Sequence, residues 1–66
     1  MTAPSLPPCD PESIRAAREA VGHSQAQAAA LVHTDGRTWR RWEAGDRSMP
    51  LAAWELYLLK TGARPL

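Results

Sequence analysis

Phenylalanine is missing from the 66 residues, and cysteine occurs once, at Cys9. A lone thiol excludes an internal disulfide and suits a reducing compartment. Long apolar runs are missing too. No stretch approaches the roughly 18 residues that cross a bilayer, and the first residues lack the basic and apolar blocks of a secretion signal. A cytoplasmic chain with no membrane partner is expected. Charge of one sign is scarce: 8 Lys and Arg stand against 7 Asp and Glu, a net of +1. That excludes a generic polyanion binder, so any contact with nucleic acid must rest on where the charges sit. No nucleophile–base set, phosphate-cradling loop or acid cluster is present, so an enzyme is not expected. His23, His33 and Cys9 fit no zinc spacing. Neither a metal nor another cofactor is expected.

The basic residues that are present are of one kind. Seven of the eight are arginine, the type that makes forked, bidentate bonds. Three of them fall in Asp35-Gly36-Arg37-Thr38-Trp39-Arg40-Arg41-Trp42-Glu43-Ala44-Gly45. This stretch reads as one short helix. Asp35 is a good N-cap, and Gly45 takes the positive φ that ends a helix. Trp39 and Trp42 share one face. Arg37 and Arg41, one turn apart, share another. Such a helix fits the DNA major groove, where an arginine fork bonds both acceptors of a guanine edge.

Upstream, Ser24-Gln25-Ala26-Gln27 is a capping box that opens a second short helix, largely of alanine, ending at Leu31 and Val32. His33-Thr34-Asp35 turns it into the arginine helix. Two short helices joined by so tight a turn make a helix-turn-helix pattern. Ser-Gln-Ala-Gln-Ala-Ala followed by Arg-Thr-Trp-Arg-Arg-Trp-Glu-Ala-Gly resembles the lambdoid phage repressor and Cro family, the XRE regulators. The resemblance runs from about Ile14 to Leu59. It implies an all-α, compact four- to five-helix bundle of the lambda-repressor-like type. It also implies that Gly36, Arg37 and Arg41 occupy base-reading positions, and that Gln25 contacts a phosphate while buttressing the reading helix. Gly36 has no side chain and offers close backbone approach instead. Arg37 is the first candidate for a guanine, with Arg41 next. Arg40 reaches a base or a phosphate, and Thr38 a phosphate or a thymine methyl. His33-Thr34 departs from the family, which usually has Gly and an apolar residue there. Histidine tolerates positive φ better than most residues, though less well than glycine.

The flanks are simpler. Residues 1–9 hold three prolines and read as a disordered tail, residues 10–62 as the DNA-binding domain, and 63–66 as a short C-terminal tail. Asp10 and Pro11 open a first helix, with Ile14, Ala17 and Val21 toward the core and Arg15 and Arg18 on a solvated face. Arg47, in the loop after Gly45, is placed to hold a phosphate. Ser48 is a candidate cap for the last helix, about Pro50 to Lys60. That helix is apolar nearly all round and needs cover on more than one side. Leu51, Trp54, Tyr57 and Leu58 are therefore expected at a homodimer interface; the alternative is cover by the short first helix and the N-terminal tail.

The sequence therefore reads as a transcriptional repressor acting by occupancy of an inverted-repeat DNA operator. Its resemblance suggests autoregulation in a phage, mobile element or anti-CRISPR-associated operon. The alternative is a protein-interaction or antitoxin-like module working through the apolar last helix.

Overall fold

A computed structural model describes residues 9–62. Residues 1–8 and 63–66, which the sequence assigns to the tails, lie outside the described residues. Four helices and no strand occur among the described residues: α1 (Pro11–Ala20), α2 (Gln25–Leu31), α3 (Gly36–Ala44) and α4 (Leu51–Thr61).

Side chains placed where the free N–H groups need acceptors start the first three helices. Asp10 Oδ1 accepts from the Ser13 N–H at 2.7 Å, with Pro11 at the first helical position. At α2 the capping box is complete. Ser24 Oγ accepts from the Gln27 N–H at 3.0 Å, and Gln27 Oε1 accepts from the Ser24 N–H at 2.8 Å. Asp35 Oδ1 accepts from the Thr38 N–H at 2.7 Å and opens α3. The fourth helix differs. Pro50 is its N-cap, without any side-chain cap bond. Ser48, the expected cap, is exposed and lies two residues too early.

Gly45 ends α3 in the left-handed region at φ 82°, and the Asp46 N–H then donates back to the Arg41 carbonyl at 3.0 Å. His33 is the one non-glycine residue with positive φ, at 61°, among the described residues. It stands where the resembling family has glycine, so the turn keeps its shape with a different residue.

The core is aromatic. Trp39, Trp54, Tyr57, Ile14 and Leu58 are its largest fully buried side chains. The Trp39 ring lies 4.9 Å from Tyr57 and 5.6 Å from Trp42, both tilted, within the range where ring pairs attract. Ala28 and Ala29 are fully buried on α2; their small side chains let α2 pack closely on α3, and α1 packs on α3 from another side. Lys60, at the end of α4, donates to the Leu31 carbonyl at 2.8 Å and closes the C-terminus of α2.

Three expectations are corrected. Val21 is 39 % exposed because α1 stops at Ala20 and Val21 leaves the helical face. Cys9, assigned to the tail, is half-buried against the core. Trp54, Tyr57 and Leu58 do not form an outward face of α4. All three are at 0 % exposure inside the protomer, because the small core of α1 to α3 needs that bulk to close it. Of the four residues expected at a dimer interface, Leu51 alone faces out, at 60 % exposure, and Leu59 joins it at 55 %.

Candidate nucleic-acid interface

The amphipathic pattern of α3 sets two sides apart. Trp39, Trp42 and Glu43 face inward. Arg37, Arg40, Arg41 and Ala44 are exposed. Together with Asp46, just past the helix end, these four line a shallow recess of about 260 Å³. No hydrogen bond or ion pair among the described residues engages the guanidinium groups of Arg37, Arg40 and Arg41. They are free to meet a ligand.

The inward side holds the one buried charged residue among the described residues. Glu43 is 9 % exposed, and its two oxygens are fully engaged. Arg18 reaches across from α1 with a forked contact, Nε to Oε2 at 2.5 Å and Nη2 to Oε1 at 3.1 Å. Trp39 Nε1 donates to Oε2 at 2.6 Å, and Gln25 Nε2 donates to Oε1 at 3.2 Å. Arg15 stands further off, at 3.7 Å. Burial pushes the Glu43 carboxyl up, but the bonds from Arg18, Trp39 and Gln25, with the Arg18 charge, outweigh it and hold the pKa below the ordinary value. The bond to Glu43 likewise raises the Arg18 pKa. Arg18 Nη1 also donates to the His23 carbonyl at 2.9 Å, and His23 Nδ1 lies 3.1 Å from the Tyr57 hydroxyl. The carboxylate thus ties α1, the start of α2 and the back of α3 to one point.

The expected contact residues fall as follows. Arg37, Arg40 and Arg41 share the outer side of α3. Gln25, half-buried, is turned to Glu43, the buttressing arrangement that the resemblance implies. Thr38 is half-buried beside the cap, and its backbone N–H bond to Asp35 is the first cause that lowers the Asp35 pKa. Gly36 approaches α2: a Cβ there would meet Ala26 at 3.4 Å. The close approach expected of this glycine is thus made within the protein. Arg47 is exposed in the loop beyond α3.

The Arg18–Glu43 pair, which positions α3, is not anticipated in the sequence reading. Arg18 was expected on a solvated face, which holds for Arg15 alone. A signal was present. Arg18 follows Ile14 by one helical turn, and Glu43 follows Trp39 by one turn, so each charge lies on the buried stripe of its helix.

The α2–turn–α3 unit, with residues 32–35 as the turn and an outward cationic face on its second helix, is a helix-turn-helix. The Helix-turn-helix domain family model matches residues 12–63, and the chain belongs to that family. The match supports DNA binding by this domain. No curated protein matches the chain. No helix among the described residues is long and apolar enough to cross a membrane.

Proposed function

We propose that the protein is a sequence-specific repressor of the lambdoid repressor and Cro type, without enzymatic activity. It occupies a double-stranded operator with α3 in the major groove. The observation that carries this reading is the division of charge on α3: three exposed arginines without a hydrogen bond or salt bridge outside, the carboxylate buried inside. Guanidinium groups so placed meet base edges, while the first turn of α2, with Gln25, and the loop at Arg47 lie toward the phosphates on either side. Two copies would read an inverted repeat, with recognition helices one helical turn of DNA apart, about 34 Å. Control of its own operon, on a phage or another mobile element or beside anti-CRISPR genes, is the simplest use of a domain that blocks polymerase by occupancy.

Fluorescence anisotropy tests this with DNA from upstream of the coding sequence and a scrambled control, in about 150 mM salt. Binding roughly a thousandfold tighter to the upstream DNA is expected. Equal and weak binding to both would remove autoregulation from the reading. A second reading, a protein-interaction or antitoxin-like module, draws on the exposed Leu51 and Leu59 of α4. It predicts no binding to either DNA.

A further inference from the structure

The hydrogen-bonding character of the α3 surface limits what it can read. Every exposed polar side chain on α3 is an arginine, a residue that donates and cannot accept. Glu43, the acid within the helix, has both oxygens turned inside to Arg18, Trp39 and Gln25. Thr38 is half-buried, and its backbone N–H bonds the capping Asp35. Gly36 contributes no side chain, and what would extend from it runs into Ala26. The Asp35 carboxylate is engaged as the cap, and Asp46 lies beyond the helix on the loop. Within α3, then, the exposed polar side chains are donors alone, and the acceptors Asp35 and Asp46 stand only at its two ends.

The base edges of the major groove answer such a surface unequally. Adenine and cytosine each present an amino donor that needs an acceptor. Thymine offers one acceptor beside a methyl group. Guanine alone presents two acceptors side by side, N7 and O6, which match the arginine fork. Arg37 and Arg41 stand four residues apart on one side of the helix, which is roughly 6 Å along its axis. Base pairs rise about 3.4 Å each, so, whatever the tilt of α3 in the groove, the two helix positions are offset along the duplex by at most about two base-pair steps.

We infer that the operator half-site is a guanine site: it carries two guanines within about two base-pair steps of each other, read by Arg37 and Arg41, and no adenine read by α3. The inference rests on the operator-binding reading above and names its DNA sequence class.

Selection of the full-length protein against a randomised duplex pool gives the first readout. The expected result is an enriched motif containing both guanines. Replacing each selected guanine with 7-deazaguanine, which lacks the N7 acceptor, is then expected to weaken binding roughly fivefold or more. Arg37→Gln supplies a donor and an acceptor at an exposed helical position, with little change in helix propensity. Selection with that variant is expected to move one enriched guanine to adenine. A reproducible motif without guanines would overturn the inference and leave the operator reading standing, and so would guanines indifferent to 7-deaza replacement. No enrichment of any motif would remove the operator reading, and the inference with it.

Discussion

At the scale of single residues, Glu43 has the largest effect that chemistry can test. Glu43→Gln keeps the shape and an acceptor but removes the charge opposite Arg18, whose side chain is only 14 % exposed. A half-buried cation left without its partner, and hydrogen bonds weakened by loss of charge, cost about 2–3 kcal/mol. Urea denaturation of the variant checks this through a lower midpoint with an unchanged slope. Acid should act through the same group. Its pKa is lower folded than unfolded, so the unfolded chain binds more protons through that interval. The stability it contributes is complete above the unfolded value near 4.5 and is lost as pH falls through the lower folded value. Thermal melting from pH 6 down to pH 2 should show this loss, and Glu43→Gln should flatten the curve. This residue was only half legible in the sequence. Its place on the Trp39 stripe was readable, but its partner comes from another helix, and periodicity within one helix does not say which helices meet. The outward arginines were legible for the opposite reason, since exposure on an amphipathic helix follows from the pattern of that helix alone.

Whole elements bear out local rules wherever the rule concerns neighbouring residues. Asp10, Ser24, Asp35 and Gly45 cap as their types and spacing require. Ser48 does not, because the rigid Pro50 takes the capping position and α4 begins after it. The turn between α2 and α3 holds a measurable strain. A non-glycine residue in the left-handed region costs roughly 1–2 kcal/mol, and His33 occupies it while exposed to solvent. His33→Gly relieves that cost and gives back part of it through the greater freedom of the unfolded chain. A net gain of about 0.5–1 kcal/mol is expected, seen as a melting point higher by a few degrees. An unchanged or lower melting point would show that the His33 side chain contributes contacts of its own.

For the molecule as a whole, size decides how much each change matters. A chain of this length has on the order of 3–10 kcal/mol of stability. Truncating a large core aromatic costs about 3–5 kcal/mol. Trp54→Ala should therefore remove about a third or more of that stability, read as a strongly lowered melting point by circular dichroism, because Trp54 belongs to the protomer core. From sequence, Trp54 looked like an interface residue because an all-apolar helix does not reveal which of its sides the same chain will cover. The exposed side of α4 gives the sharper test of dimerisation. Leu51→Asp should leave the fold intact, since Leu51 is 60 % exposed. If α4 joins two copies, sedimentation at micromolar concentration should show the parent as a dimer and Leu51→Asp as a monomer. A monomeric parent would place any pairing on the DNA itself. The outward arginines of α3 stand apart from all of this. None of them makes a hydrogen bond or salt bridge among the described residues, while the carboxylate that fixes the helix is buried. On the proposed reading, what the molecule recognises is thus largely separable from how it stays folded. Substitutions at 37, 40 and 41 would then accumulate under selection for a new target without passing through unfolded intermediates. A lineage built on this chain would diversify its targets one side chain at a time.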